Sequence, residues 1–207
     1  MRIAIPLFDR FTALDAVGPY EVLKFLPDVE IVFVAAASGP IRDVPKWLAI
    51  TADATFAEVD SCDVLLVPGG PGSRQLLDNR PLLDWIGRMH EGSSWTTSVC
   101  TGSLLLAAAG LLEGRSATTH WGAVDVLESF GAIYTAERVV FNGKIVTAAG
   151  VSSGIDMALA LVARIADQTT AEAVQLAIEY DPQPPFDAGS PAKASQAAKD
   201  LLTRGIR

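Results

Sequence analysis

One cysteine stands at a sharp change of pattern in the segment TTSVCTGSLLLAAAGLL, residues 96–112. The residues before Cys100 are typical of a buried strand, and those after it are typical of a helix. Gly102 permits a tight turn between the two. Such a turn holds the sulfur off the backbone at a helix N-terminus, whose partial positive charge favours the thiolate. We therefore predict that Cys100 is a nucleophile, in preference to a buried structural cysteine.

Other polar or flexible residues fall where further predicted elements begin or end. Asp15 is either the proton donor and acceptor for the thiol chemistry or the N-cap of a helix. Gly69 and Gly70, in VPGGPG, form either an ordinary turn or a nest of backbone N–H groups that works with the amide of Thr101. His120 is either a partner of the thiol, as in Cys–His catalysis, or a supporting residue behind the site.

Short apolar runs alternate with helical patterns along most of the chain. This alternation predicts an α/β fold in which helices cover both faces of a mostly parallel sheet. The predicted strands include residues 2–8, 29–37, 63–67 and 94–99, and Asn142–Gly143 is the predicted turn of a hairpin. Ligands of such sheets bind beyond the carboxyl ends of the strands. We therefore expect Asp15, the glycine turn and Cys100 to face one cleft.

The composition limits the classes of partner and cofactor. The chain has 207 residues, half of them apolar, and a net charge of −8. Since it contains no run of Lys or Arg, we expect neither nucleic acid nor a membrane surface as its partner. Two Cys and two His residues without metal-type spacing argue against a metal site, and no nucleotide-binding motif indicates an organic cofactor. No signal peptide or membrane-spanning run is evident, so we expect a cytoplasmic protein with reduced thiols.

Three segments resemble the DJ-1/PfpI superfamily: LDAVGPYEVL, VPGG and SVCTGSLLLAAAGLLEGRSATTHW. The resemblance extends from about Ile3 to Pro191. It implies a flavodoxin-like three-layer sandwich and a homodimer. We expect one domain over residues 1–191 and a C-terminal tail, 192–207, in which a short helix can form.

Within this superfamily, the CTGS after the cysteine and the late segment VQLAIEYDPQPPFDAGSP resemble the isocyanide hydratases. The resemblance implies a cofactor-free lyase that adds water to a small isocyanide and releases an N-formamide. It implies that Cys100 forms a thioimidate, that Asp15 donates a proton and that Thr101 lies beside the nucleophile. It also places Gly69 and Gly70 opposite the thiol.

Two other activities fit the same residues. A cofactor-free glyoxalase or deglycase would form a hemithioacetal on Cys100 and use His120 or Asp15 as a base. A non-catalytic redox or ligand sensor would oxidise Cys100 to the sulfinate and pass the signal to a partner. Turnover of an isocyanide, turnover of methylglyoxal and altered partner binding distinguish these three possibilities.

Overall fold

A central parallel sheet dominates the computed structural model, which describes residues 1–204. The strands are β1 (Arg2–Pro6), β2 (Glu30–Ala35), β3 (Gly39–Arg42), β4 (Ala49–Ala52), β5 (Ala54–Thr55), β6 (Val64–Val67), β7 (Trp95–Val99), β8 (Ser116–Ala117), β9 (Ile133–Tyr134), β10 (Val139–Asn142) and β11 (Ile145–Ala148). Seven of them form one sheet in the order β10-β11-β7-β6-β1-β2-β5. Only β10 is antiparallel to its neighbour in this sheet.

Over residues 1–204, seven α-helices cover the two faces of the sheet or follow it. They are α1 (Ala13–Leu23), α2 (Arg80–Gly92), α3 (Gly102–Ala108), α4 (Val124–Ser129), α5 (Ser153–Ile165), α6 (Gln168–Ala177) and α7 (Gln196–Arg204). Helices α1, α5 and α6 pack together, while α2, α3 and α4 form a second group. The result is the predicted three-layer α/β sandwich. All residues of β6 and β11 are buried, which explains the unbroken apolar sequence of β6 and the mostly apolar sequence of β11.

The predicted hairpin forms, but its turn lies one residue later than Asn142–Gly143. Asn142 pairs with Ile145, so the two turn residues are Gly143 and Lys144. Gly143 has a φ of +60°, which explains the glycine. The ammonium group of Lys144 donates to the carbonyl oxygens of His90 and Ser93, at the end of α2. The lysine therefore joins the hairpin turn to the C-terminal end of a helix.

The segment 118–131, whose sequence TTHWGAVDVLESFG is typical of one helix, divides into shorter parts. After β8 the chain is extended, and a 3-10 turn at Trp121–Ala123 precedes α4. His120 caps this turn, since its Nδ1 accepts a hydrogen bond of 3.1 Å from the backbone N–H of Gly122. The extended part is held by the backbone N–H of Thr118, which donates to Thr147 Oγ1 at 2.8 Å.

The C-terminal part of the chain leaves the sandwich after α6. The prolines of residues 181–191 cannot donate backbone hydrogen bonds, and this stretch forms no regular element. Helix α7 follows and buries none of its residues. Residues 205–207 of the expected tail lie outside the described part of the chain. None of the helices over residues 1–204 combines the length and apolarity needed to cross a bilayer.

Candidate active site

Cys100 occupies a strained turn between β7 and α3. Its φ is +57°, in the left-handed region that residues with a side chain rarely adopt. Its backbone N–H donates to the carbonyl oxygens of Ala148 and Ala149, at 3.0 and 2.8 Å. The side chain is nearly enclosed, with 5% of the residue exposed. The structure therefore has the elbow geometry that the sequence predicts. The end of β11 and the residue after it are hydrogen-bonded to this elbow.

Gly102 allows the elbow to approach the neighbouring strand. A methyl group at this position would overlap the carbonyl oxygen of Val67, at the end of β6. Gly69 faces the elbow from the other side, and a methyl group there would overlap the backbone nitrogen of Thr101. Two backbone segments therefore pack directly against each other without side chains between them. This contact fixes the position of the sulfur.

Asp15 lies in the first turn of α1 and is fully buried. Its Oδ2 accepts a hydrogen bond of 2.9 Å from the backbone N–H of Gly69, at the exit of β6. The N-cap position of α1 belongs to Thr12, so the cap role considered for Asp15 is wrong. Asp15 Oδ1 is buried without a partner of hydrogen-bond geometry among residues 1–204. The Cys100 thiol is the neighbouring group that interacts with this carboxyl.

Burial raises the free-energy cost of ionising both side chains. Burial raises the pKa of Asp15 from 3.8 to about 7, against the lowering effects of the Gly69 N–H and the Cys100 thiol. Burial, and then the charge of Asp15, raise the pKa of Cys100 to about 12, although the Thr101 N–H opposes this. The resting group at neutral pH is therefore the thiol. The expectation that the helix N-terminus keeps the sulfur ionised is wrong, because burial and the carboxylate outweigh it.

Thr101 fastens the elbow to the glycine turn. Its Oγ1 accepts a hydrogen bond of 2.9 Å from the backbone N–H of Gly70, and it lies 3.2 Å from the carbonyl oxygen of the same residue. The hydroxyl of Ser73 lies 2.9 Å from Thr101 Oγ1 and 2.8 Å from the Gly70 oxygen. Sequence reasoning missed Ser73, because a serine three residues after a Gly-Gly pair carries no distinctive signal. The Thr101 hydroxyl therefore holds the backbone of Gly70 against the elbow.

The backbone N–H groups of Gly69 and Gly70 have acceptors within the protein. The first donates to Asp15 Oδ2 and the second to Thr101 Oγ1, both at 2.9 Å. The prediction that these two N–H groups bind the substrate is therefore wrong, because they bind Asp15 and Thr101. The two amides orient the acid and the elbow instead, and Gly69 packs against the backbone of Thr101 and Gly102.

His120 follows a residue that is hydrogen-bonded to the backbone of Cys100. Its neighbour Thr119 donates a hydrogen bond of 3.2 Å to the carbonyl oxygen of Cys100. The His120 ring stacks obliquely on Trp121, at 5.3 Å between ring centroids. Burial, and then the charge of Arg74, lower the pKa of His120. No hydrogen bond joins His120 to Cys100 or Asp15 in the described chain, so this geometry favours the supporting role over the thiol-partner role.

A cleft of about 730 Å³ lies next to the chain segments that hold the thiol–carboxyl pair. The expectation that Asp15, the glycine turn and Cys100 themselves face one cleft is wrong for this cleft, because none of them is among its lining residues. Leu14, adjacent to Asp15, lines it, as do Thr119 and Ala149, which hydrogen-bond to the backbone of Cys100. This volume suits a small organic molecule. The remaining lining residues are His120, Trp121, Tyr134, Ala136, Glu137, Arg138, Gly150, Val151, Ser152, Ser153, Gly189, Ser190, Pro191 and Ala192. Over residues 1–204, no group of three or more His, Cys, Asp or Glu side chains is arranged to hold a metal ion.

The close approach at Gly102 makes a direct stability prediction. We expect Gly102→Ala to lower the free energy of unfolding by about 3 kcal/mol or more, because the added methyl group meets the backbone of β6. Gly87→Ala, in the interior of α2, is the matched control. A methyl group there meets open space, and we expect a gain of about 0.5–1 kcal/mol. Urea unfolding of both variants tests the pair, and equal stabilities would contradict the packing described for the elbow.

Known proteins match this chain in both sequence and fold. The model of the DJ-1/PfpI family matches residues 1–164. The isonitrile hydratase of Pseudomonas putida is 42% identical over 97% of this chain and 87% of its own length. The deglycase PfpI of Pyrococcus furiosus is 26% identical over 69% of this chain and 86% of its own. The crystal structure of a ThiJ/PfpI family protein from Pseudomonas syringae has a TM-score of 0.94 at 39% identity, over 98% of this chain and 84% of that one. The chain therefore belongs to the DJ-1/PfpI family.

Proposed function

We propose that this protein is an isocyanide hydratase, a lyase that converts an isocyanide and water into an N-formamide. The observation that carries the proposal is the buried pair of one thiol and one carboxyl, held by chain segments next to a cleft for a small molecule. This reaction needs one nucleophile and one group that moves protons. The similarity to the isonitrile hydratase of Pseudomonas putida supports the choice of substrate class.

The first step joins the thiol to the terminal carbon of the isocyanide. Asp15, as the carboxylate, accepts the thiol proton and gives it to that carbon, while the sulfur forms a bond to the same carbon. The product is a thioimidate, R–N=CH–S–Cys100, which contains every atom of the thiol and the isocyanide. The Gly69 N–H holds the carboxyl in place during both transfers, since it donates to Oδ2 and leaves Oδ1 for the proton.

The second step adds water to the thioimidate carbon. Asp15, ionised again after the first step, takes a proton from the attacking water, and the nitrogen gains a proton. The resulting tetrahedral intermediate, R–NH–CH(OH)–S–Cys100, expels the sulfur, which recovers a proton as the C=O bond forms. The released product is R–NH–CHO, and the thiol and carboxylate return to their starting states.

The two alternative activities have weaker support from this site. A glyoxalase that uses His120 as its base needs that ring near the sulfur, and no hydrogen bond joins them in the described chain. Asp15 remains the available base for such a reaction. A peroxide sensor reacts through a thiolate, whereas burial and Asp15 raise the pKa of Cys100 to about 12. Both observations favour the hydratase.

The proposal is tested by product formation and its pH dependence. We expect purified protein to convert benzyl isocyanide into N-benzylformamide, measured by liquid chromatography, with methylglyoxal as a parallel substrate. In the reactive form of the protein, the side chains of Cys100 and Asp15 together carry one proton and one negative charge. Since the pKa of Asp15 is about 7, we expect kcat/KM to rise about tenfold per pH unit below pH 7 and to level off above it. Lactate without formamide, or a rate that falls as pH rises through 7, would contradict the proposal.

A further inference from the structure

The C-terminal segment contributes one wall of the cleft. Residues Gly189–Ala192 line it, opposite residues from α1, the β9–β10 connection and the start of α5. This segment lies beyond residue 164, where the match to the family model ends. The alignment to the Pseudomonas putida isonitrile hydratase covers 97% of the chain and therefore extends past this segment. The family model therefore ends before the segment that forms this wall.

Local contacts give this segment a defined shape. The backbone N–H groups of Lys193 and Ala194 donate to the carbonyl oxygen of Ser190, at 3.1 and 2.9 Å. The ammonium group of Lys193 pairs with the carboxylate of Asp187 at 2.6 Å. Ser190 and Ala194 are half-buried in a segment that is otherwise exposed. The turn therefore presents one side to the cleft, while its ion pair is exposed and adds little stability by itself.

A polar cluster fixes the point from which the segment departs. The hydroxyl of Tyr180 donates to Asp156 Oδ1, in α5, at 2.8 Å. The guanidinium of Arg138 pairs with the other oxygen of Asp156 and donates to Ser152 Oγ at 3.1 Å. Arg138 and Ser152 themselves line the cleft. The cluster therefore ties the end of α6 to the rim of the cleft and starts the segment beside it.

The surface that lines the cleft is more apolar than polar, although Glu137, His120 and several hydroxyl side chains also line it. Leu14, Trp121, Tyr134 and Val151 line the cleft together with Pro191. The Arg138 charge is paired with Asp156 and is not available to an anionic substrate. An uncharged, apolar substituent is therefore the group that this space accommodates best.

We propose that the segment Gly189–Ala192 is a specificity determinant, which contacts the apolar substituent of the substrate while Cys100 and Asp15 act on its reactive carbon. The proposal rests on the proposed function for the identity of that carbon. A large substituent extends further into the cleft lined by Pro191 and Ala192 than a methyl group does. The segment therefore sets the preference for large over small isocyanides and leaves the chemical step unchanged.

The test compares two shortened chains. Deletion of residues 188–207 removes the wall, and deletion of residues 196–207 removes only α7, which buries no residue. We expect the first deletion to lower kcat/KM for benzyl isocyanide about tenfold relative to methyl isocyanide, mainly through KM. The second is expected to leave this ratio unchanged. Pro191→Asp in the full chain places a charge in the cleft and is expected to lower the ratio in the same direction.

A second readout does not depend on the hydratase reaction. N-benzylmaleimide and N-methylmaleimide carry the same electrophile and differ in size, and mass spectrometry of the Cys100 peptide measures their rates of alkylation. We expect the benzyl-to-methyl ratio to fall in the 188–207 deletion and in Pro191→Asp, and to stay constant in the 196–207 deletion. A ratio that is unchanged or higher in both wall variants would overturn the proposal. If the benzyl-to-methyl ratio falls in these variants but the protein hydrates no isocyanide, the role of the wall is supported and the proposed function is ruled out.

Discussion

Cys100→Ala is expected to reduce formamide production by at least about 10³-fold, because no other group in the site can form the thioimidate. The backbone of the elbow is expected to persist, since alanine and cysteine have the same steric limits at a φ of +57°. Steady-state turnover of benzyl isocyanide gives the measurement, and circular dichroism checks the fold.

Cys62→Ala is the matched control for this substitution. Cys62 is also buried, but it precedes β6 at the opposite end of the strand from the elbow. Burial, with a smaller contribution from the charge of the adjacent Asp63, raises its pKa to about 11, so it is a second buried thiol of similar kind away from the elbow. We expect this variant to keep the wild-type kcat/KM. Retained turnover in Cys100→Ala, or equal losses in the two variants, would rule out Cys100 as the nucleophile.

Asp15→Asn is expected to lower kcat by about 10²–10⁴-fold, the usual contribution of a group that transfers protons in the rate-limiting step. The amide oxygen can still accept from the Gly69 N–H, so the geometry is kept while the proton carrier is lost. The rise of kcat/KM through pH 7 should also disappear. Asp43→Asn, a buried aspartate that accepts from the Leu48 N–H, is the control and is expected to keep both the rate and its pH dependence.

The same substitution is expected to stabilise the protein at alkaline pH. The folded state raises the pKa of Asp15 from 3.8 to about 7, so it binds the proton more tightly than the unfolded chain does. Stability from this group is fully present below pH 4 and is lost as pH rises to 7, on the order of 4 kcal/mol. Asn carries no such penalty. At pH 8 we expect a higher free energy of unfolding for Asp15→Asn by urea titration, and a lower value would contradict the buried ionised carboxyl.

The convergence of Asp15, the glycine turn and Cys100 could be predicted from the sequence. Each follows a buried strand, and β1, β6 and β7 are adjacent and parallel, so their carboxyl ends share one edge of the sheet. The elbow was predictable for a similar reason. A cysteine with a glycine two residues later, at a strand-to-helix transition, has few other backbone solutions.

The hydrogen-bond partners and the state of the thiol could not be predicted in the same way. The assignment of the Gly69 N–H to Asp15, and of the Gly70 N–H to Thr101, depends on how closely two loops approach in three dimensions. A helix terminus contributes about 0.3–1 kcal/mol, whereas the rise in the Cys100 pKa from 9.0 to about 12 corresponds to several times that. Burial was the larger effect, and no local sequence pattern measures it.

The backbone packing of Gly102 against β6 separates the chemistry of this protein from its recognition of substrate. The sulfur is placed by main-chain contacts, while the cleft walls come from α1, the β9–β10 connection, the start of α5 and Gly189–Ala192. Saturation libraries at the exposed wall positions therefore leave the reacting atoms where they are. This arrangement makes the scaffold a suitable starting point for laboratory evolution toward new substituents, with the C-terminal segment as the first region to randomise.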